Sequence, residues 1–165
     1  MNVLVTGGSG FIGRNIVKLL KEKGDTVATL DIKDKNSVAD YHIICDVRNR
    51  QMVEKALSGI DYVYHLAAVT SPPEFENLTG DGYDVNVLGT YNVLAASQAN
   101  KVKRVVIASS SSVYDNNSKA ASEDSLQDKY NNFYPLTKRI NEITTDLFND
   151  YSVKLSHLGI STRTH

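Results

Sequence analysis

The stretch Asn2-Val-Leu-Val-Thr6, followed directly by Gly7-Gly-Ser-Gly-Phe-Ile-Gly13, decides the fold of this chain. Met1–Thr6 is predicted to form a short apolar strand, and a helical pattern begins directly after the glycines. Glycines let a backbone approach a phosphate, and the free N–H groups at a helix start favour its negative charge. The order of strand, glycine turn and helix therefore predicts a site for a dinucleotide pyrophosphate. Its glycines fit the dinucleotide fingerprint in two ways, with Gly7 or Gly8 ahead of Gly10 and Gly13.

Length, charge and cysteine content narrow the class of protein. A chain of 165 residues predicts one domain. With 18 basic and 19 acidic residues, a net charge of -1 predicts binding neither to nucleic acid nor to a membrane surface. No stretch approaches the roughly 20 apolar residues of a membrane span, and the N-terminus does not resemble a signal peptide. The single cysteine, Cys45, predicts a reducing, cytoplasmic compartment and a buried structural thiol. No metal site is predicted.

Strands alternate with helices along the chain. After the first strand, the predicted strands are Thr26–Leu30, Tyr41–Cys45, Tyr62–Leu66, Arg104–Ala108 and Val153–Leu158. The predicted helices are one that starts at the glycine turn and ends at Gly24, then Asn49–Leu57, Tyr83–Asn100 and Phe133–Tyr151. This alternation predicts an α/β, doubly wound parallel sheet, a Rossmann fold with strand order 3-2-1-4-5-6 and helices on both faces. Ligands of such folds bind beyond the carboxyl ends of the strands.

Asp31 ends the second predicted strand, about 20 residues beyond the glycines. A carboxylate there accepts hydrogen bonds from both hydroxyls of the adenosine ribose and repels a 2′-phosphate, which favours NAD over NADP. Lys33 is close enough to weaken this preference, and a solvated loop aspartate is the alternative interpretation. Asp46 ends the third predicted strand and could meet the edge of the adenine.

Tyr134 and Lys138 lie four residues apart at the start of a predicted helix, so they share a face. A nearby cation lowers the pKa of a phenol, which would let the tyrosine exchange a proton with a substrate hydroxyl near neutral pH. A surface pair is the alternative, although Tyr134 alone among the nine tyrosines has lysine at this spacing. The serines of Ser109–Ser112 follow a predicted central strand, where a hydroxyl can bond the same substrate oxygen.

Together these residues resemble the extended short-chain dehydrogenase/reductases, specifically the NAD-dependent epimerase/dehydratase group of UDP-glucose 4-epimerase and related enzymes. The matching segments occur in the family's order over nearly the whole chain: Thr6–Gly13, Asp31, Asp46-Val47, His65–Ala68, Asn86–Thr90, Ser109–Tyr114, and Tyr134 with Lys138.

The resemblance implies a role for each matching residue. Ser110 would supply the catalytic hydroxyl, Tyr134 would be the catalytic base, and Lys138 would be catalytic and hold the nicotinamide ribose. Asn86 would brace the loops, and His65 would be structural. The other cofactor-binding residues would be Gly7, Gly10, Phe11, Ile12 and Gly13 at the pyrophosphate, Asp31 and Ile32 at the ribose, Asp46 and Val47 at the adenine, and Leu66, Ala67 and Ala68 beneath the cofactor.

Three departures from the family pattern bear on function. Asp115 stands where the family has glycine, and Leu158–Ser161 replaces a segment expected near the nicotinamide. The chain stops at His165, before the part that supplies the nucleotide-sugar pocket in the family. We therefore expect residues 1–165 to be an NAD-binding Rossmann domain whose C-terminal substrate domain is missing.

A homodimer is expected through the helices that start near Tyr83 and Phe133. The first of these carries apolar residues on more faces than one sheet contact needs, and the resemblance implies the same pairing. The alternative is that the missing half covers this surface. The apolar residues concerned are Val85, Val87, Leu88, Tyr91, Val93 and Leu94.

The serine run also bears on the reaction. Dehydratases of the family place Asp-Glu where this chain has Ser111 and Ser112, so a plain hydride shuttle is favoured. The expected function is that of an NAD-dependent nucleotide-sugar epimerase acting on a UDP- or dTDP-sugar. A reductase, dehydrogenase or dehydratase of the same family is one alternative. A non-catalytic NAD-binding module is another, favoured by the short chain and by the altered Leu158–Ser161 segment.

Overall fold

A computed structural model describes residues 1–34, 38–70, 79–114, 129–130, 132–149 and 154–158. Within these residues, six parallel strands form one sheet in the order β3-β2-β1-β4-β5-β6, which confirms the predicted Rossmann topology. The strands are β1 (Asn2–Thr6), β2 (Thr26–Asp31), β3 (Tyr41–Ile44), β4 (Tyr62–His65), β5 (Arg104–Ala108) and β6 (Lys154–Leu158).

The helices of the described part of the chain are α1 (Phe11–Glu22), α2 (Arg50–Ala56), α3 (Thr79–Tyr83), α4 (Gly89–Ala99) and α5 (Phe133–Asn149). A π-helical segment, Asp84–Leu88, joins α3 to α4, and a 3-10 turn, Ser111–Val113, follows β5. The prediction of a single α-helix over Tyr83–Asn100 was therefore incomplete. The carbonyl of Asn86 accepts hydrogen bonds from the side chains of Thr90 and Asn141, which stabilises the widened turn.

The core lies on both faces of the sheet. Neighbouring residues of a strand point to opposite faces, and Leu4 and Val5 of β1 are both fully buried. Leu4 belongs to the larger cluster, which includes Val53 of α2 and Leu94 of α4, whereas Val5 packs with Val17 of α1. Both faces are therefore covered by helices, as predicted. No helix among the described residues is long and apolar enough to cross a membrane.

Helix α1 meets the end of β1 at a distance that leaves no room for side chains. A Cβ at Gly13 would collide with the carbonyl oxygen of Gly7, and one at Gly8 would lie 2.5 Å from Cγ2 of Thr29. Gly7 also has a φ of +69°, and a Cβ at this position would lie 2.8 Å from the backbone N of Ala67. Gly7, Gly8 and Gly13, which belong to the two glycine spacings considered from the sequence, are therefore sterically required.

The close contact at Gly13 predicts opposite effects for two Gly→Ala substitutions. Gly13→Ala should lower the free energy of unfolding by about 1–3 kcal/mol, because the new methyl group meets backbone that cannot move away. Gly80→Ala should leave it unchanged or raise it by up to about 1 kcal/mol, because nothing lies within 4 Å and alanine favours the helix. Urea unfolding of the parent and both variants measures the two changes, and equal effects would contradict the packing argument.

Candidate active site

The glycine turn and Asp31 are joined at the carboxyl ends of β1 and β2. The Gly7 N–H donates to the carbonyl of Leu30 at 2.9 Å. The N–H groups of Ser9 and Lys33 donate to separate oxygens of the Asp31 carboxylate, each at 3.0 Å. Each oxygen keeps a further lone pair for a ligand hydroxyl. Gly10 is the N-cap of α1 and has no side chain, so no N-cap side chain occupies the first-turn N–H groups.

Two apolar side chains beside this turn are exposed. Phe11, the first residue of α1, is 78% exposed, and Ile32, which follows Asp31, is 66% exposed. Single exposed apolar residues are common on protein surfaces, but these two flank the same turn. Their exposure is suited to a ligand that carries flat, partly apolar rings.

Asp46 follows β3, and its carboxylate is held by Arg48, for which no role was predicted from the sequence. The Nε and NH2 groups of Arg48 both donate to its carboxylate, and this pairing holds the pKa of Asp46 below its ordinary value. Arg48 also reaches Asp81 of α3 at 2.7 Å. Val47 is buried between them, and its carbonyl accepts from the side chain of Asn92. The carboxylate of Asp46 is thus fixed and ionised at the sheet edge.

The residues predicted to lie beneath a cofactor follow β4. The N–H groups of Leu66 and Ala67 donate to Oγ1 of Thr6, each at 3.2 Å, and Ala68 continues the same segment. The hydroxyl of Thr6, at the end of β1, therefore sets the position of the segment after β4 relative to the glycine turn.

His65 links that hydroxyl to the helices behind the sheet. Its Nδ1 lies 2.7 Å from Oγ1 of Thr6 and its Nε2 lies 3.0 Å from Oγ1 of Thr90. Thr90 donates its own proton to the carbonyl of Asn86, so Nε2 of His65 must be the donor and Nδ1 the acceptor. Burial and the nearby Lys138 lower the pKa of His65 to about 3, so the ring is neutral. These contacts support a structural role for His65.

Asn86 braces two parts of the site. Its side-chain oxygen accepts from the N–H of Val69, and its amide donates to the carbonyl of Val69 and to Oγ1 of Thr137. Thr137 in turn donates to the carbonyl of Tyr134. The segment after β4 is thereby tied to the first turns of α5, as expected for a bracing residue.

The three predicted catalytic residues meet at the end of β5. Ser110 and Tyr134 share a hydrogen bond. The Lys138 ammonium donates to the carbonyl of Ala108 at 2.9 Å and lies 5.8 Å from the centre of the Tyr134 ring. Because all strands are parallel, this edge of the sheet is also that of the glycine turn and Asp31. A proton-transfer group and a cation therefore stand at the same edge as an anion-binding turn.

The expected lowering of the Tyr134 pKa is not found. Burial raises the pKa of Tyr134, and the hydrogen bond from Ser110 only partly offsets this. Burial also lowers the pKa of Lys138 to about 8. The i, i+4 spacing correctly brought the phenol and the ammonium together, but it did not show that both are buried, which disfavours the charged form of each.

Several buried polar contacts of α5 were not predicted from the sequence. Thr137, Asn141 and Thr145 are polar yet buried, and Glu142 accepts a hydrogen bond from Ser109. Glu142 follows Lys138 by four residues, as Lys138 follows Tyr134. That repeat could have been found in the sequence as a third residue on the same helix face.

The helices expected to form a dimer interface are partly used within the chain. Val93 and Leu94 are fully buried in its own core, so they cannot face a partner. Leu88 and Tyr91 are exposed beside α5, where the ring of Tyr91 contacts that of Phe148 with centroids 6.0 Å apart. Only part of the apolar surface that motivated the expectation is therefore open.

Two of the sequence departures lie outside the described residues. They are Asp115 and the stretch that follows Leu158, and Leu158 itself is described only as the last residue of β6. Among the residues that are described, no group of three His, Cys, Asp or Glu side chains could hold a metal ion.

Comparison with known proteins identifies relatives over nearly the whole chain. Residues 3–157 match the NAD dependent epimerase/dehydratase family. The chain is 33% identical over 148 residues to the N-acetyl-alpha-D-glucosaminyl-diphospho-ditrans,octacis-undecaprenol 4-epimerase of Escherichia coli O157:H7, covering 90% of this chain and 44% of the relative. It is also 33% identical to the 3-beta-hydroxysteroid dehydrogenase of Mycolicibacterium neoaurum, covering 87% of this chain and 39% of that protein.

A similar solved structure is the UDP-glucose 4-epimerase of Thermus thermophilus in complex with NAD. It superposes with a TM-score of 0.86 at 28% sequence identity, covering 96% of this chain and 54% of that one. The chain therefore spans about half the length of the proteins it matches.

The buried neutral His65 predicts a loss of stability in mild acid. Its pKa is about 3 when folded and about 6.5 in the unfolded chain, so between these values only the unfolded state takes up the proton. The stabilisation is complete above about pH 6.5, and from there to about pH 5 its loss should cost about 2 kcal/mol. Urea unfolding across this range should give a shallower pH slope for His65→Asn than for the parent, and equal slopes would contradict the assignment.

Proposed function

Because the chain belongs to the NAD-dependent epimerase/dehydratase family, we propose that it is the cofactor-binding part of an NAD-dependent nucleotide-sugar epimerase. The observation that carries this proposal is the meeting of Ser110, Tyr134 and Lys138 at the sheet edge that also holds the glycine turn and Asp31. A module that only binds NAD has no need of a phenol hydrogen-bonded to a serine beside a buried ammonium.

The residues at this edge fit NAD. The glycine turn leaves the first turn of α1 without a side-chain cap, so that the pyrophosphate would meet N–H groups and the positive end of the helix there. Asp31 keeps lone pairs for the ribose hydroxyls and would repel the extra phosphate of NADP. Phe11 would lie beside the pyrophosphate, Ile32 and Val47 would border the adenosine, and the segment after β4 would lie beneath the cofactor.

The chain's own residues would move a proton while NAD, when bound, supplies the hydride acceptor. Tyr134, as its phenolate, would take the proton of a sugar hydroxyl on its ring oxygen and so become the neutral phenol that burial favours. Ser110, already hydrogen-bonded to Tyr134, would hold the same sugar oxygen. Lys138 uses one of its three N–H donors on Ala108 and would offer the others to the nicotinamide ribose. Asn86 and Thr137 would keep these groups in place.

The substrate proposed is a UDP- or dTDP-sugar. The similarity to a UDP-glucose 4-epimerase and to a 4-epimerase of a lipid-linked sugar supports a sugar substrate. Ser112 lies 2.8 Å from Ser110 in the position where a dehydratase would carry an acid, which favours epimerisation over elimination. A single-transfer dehydrogenase is the second candidate, because the hydroxysteroid dehydrogenase relative is equally similar in sequence.

We also propose that residues 1–165 form the NAD-binding domain of a longer, cytoplasmic protein whose substrate domain follows. The part of each relative that the chain does not cover supports the missing domain, and the buried Cys45 suits a reducing compartment.

A homodimer through α4 and α5 is proposed as well. Along α5, polar Thr137 and Thr145 face inward, whereas Ile143 and Leu147 are exposed. Because polar residues of α5 are buried and apolar ones are exposed, an apolar surface remains open beside Leu88 and Tyr91. A second copy of the chain would cover it.

Asp31 should set the choice of cofactor. Calorimetric titration should show tighter binding of NAD than of NADP, and Asp31→Asn should reduce this ratio by about tenfold or more, because the repulsion of the 2′-phosphate is lost. Asp34→Asn is the matched control, since it removes the same charge from the same loop. Tighter binding of NADP by the parent, or an equal effect of the control, would remove the role given to Asp31.

Tyr134 should be required for turnover but not for cofactor binding. In the gene product that contains this chain, Tyr134→Phe should reduce epimer formation from UDP- or dTDP-sugars by at least about 10²-fold while NAD still binds. Ser110→Ala should have a smaller effect, because neighbouring hydroxyls or water can replace it. Tyr62→Phe, at the opposite edge of the sheet, serves as the control. Parent-like turnover of Tyr134→Phe would refute the mechanism, and a parent inactive on every sugar nucleotide would favour the binding module.

A further inference from the structure

Three consecutive residues at the end of β5 and the start of the following turn each form a hydrogen bond with helix α5. The carbonyl of Ala108 accepts from the ammonium of Lys138, the hydroxyl of Ser109 donates to Glu142, and Ser110 shares its hydrogen bond with Tyr134. Tyr134, Lys138 and Glu142 are spaced by four residues, so they form one stripe along the helix. The mechanism uses the first two of these residues and gives no role to Glu142.

The carboxylate of Glu142 is held on both of its oxygens. One accepts from Ser109, which is 8% exposed, and the other accepts from the NH1 group of Arg139 at 3.1 Å. The Glu142 side chain itself is only 13% exposed. Hydrogen bonds to an ionised carboxylate are about twice as strong as those between neutral groups. Ser109 is therefore firmly attached to α5.

The position of Ser109 decides where Ser110 lies. Ser110 is the N-cap of the 3-10 turn, and its hydroxyl accepts from the N–H of Ser112 at 3.2 Å. The turn and its capping hydroxyl thus begin one residue after the Glu142 contact. If Ser109 were released from α5, the turn would be free to move as a unit away from Tyr134.

We infer that Glu142 is a positioning residue for the reaction, which it serves by holding Ser109 and so placing the hydroxyl of Ser110 against the phenol of Tyr134. The inference rests on the proposed function. Glu142 acts through this contact and not through its charge, because Arg139 lies beside it and balances that charge. Its loss therefore alters the geometry of the serine turn and leaves the glycine turn and Asp31, at the other end of the cofactor site, untouched.

A double-mutant cycle in the complete gene product tests the coupling of Ser109 and Glu142. Ser109→Ala and Glu142→Ala should each lower kcat by about tenfold, the effect of losing one well-placed hydrogen bond. The double variant should be no worse than the more affected single variant, and the KM for NAD should stay within about twofold in all three. Glu142→Gln should recover part of kcat, because its amide oxygen can still accept from Ser109. Asp146→Asn, an exposed acid on the same helix, should behave as the parent.

A second measurement does not depend on turnover. In protein with ¹³C-labelled tyrosine rings, the Tyr134 resonance is identified by its loss in Tyr134→Phe, and its titration gives the pKa. Ser109→Ala and Glu142→Ala should each raise this pKa above that of the parent, because the hydrogen bond from Ser110 that lowers it is weakened.

Additive effects on kcat, or an unchanged titration of Tyr134 in Ser109→Ala, would overturn the inference. Ser109→Ala removes one hydroxyl and preserves the fold, so the result stands even if Glu142→Ala unfolds. A parent with no turnover would refute the proposed function alone, since the titration still decides whether Glu142 positions Ser110.

Discussion

The close packing of α1 and of the segment after β4 against the glycine turn that follows β1 is the constraint on which the rest of this structure depends. At both places the backbones are closer than a methyl group allows, as the contacts around Gly13 and Gly7 show. This closeness brings the start of a helix directly over the sheet edge and sets the turn beside Asp31, whose carboxylate the backbone N–H of Ser9 then holds. An anion-binding turn and a ribose-binding acid follow from one packing distance.

The opposite wall of the site is organised by buried polar groups. Along α5, the hydroxyl of Thr137, the ammonium of Lys138 and the amide of Asn141 point inward and meet partners on β5 or on the π-helical segment. Burying such groups is costly unless every one is hydrogen-bonded. The neutral His65 extends the same network to Thr6, directly beneath the glycine turn. The cofactor side and the catalytic side of the site are thus connected through the protein interior by hydrogen bonds of fixed direction.

Local patterns in the sequence predicted the sheet order and placed most strand and helix boundaries within two residues, because the alternation of strands and helices and the glycine turn depend on neighbouring residues. They also placed Tyr134 beside Lys138, since i, i+4 spacing is a local property. They did not predict the raised pKa of Tyr134 or the burial of Val93 and Leu94. Both properties depend on how deeply a side chain is buried after folding. Residues distant in the sequence determine that burial, so it cannot be predicted from a short stretch of sequence.

The environment of Cys45 has a practical consequence for chemical labelling. The thiol is 7% exposed, donates to the carbonyl of Asp46, and has its pKa raised by burial and by the adjacent carboxylate. Alkylating reagents attack the thiolate, so this cysteine reacts slowly while the protein stays folded. A cysteine introduced at an exposed position, such as that of Asp146 on α5, would therefore be modified first. Fluorescent or spin probes can therefore be attached at such an introduced cysteine without replacing Cys45.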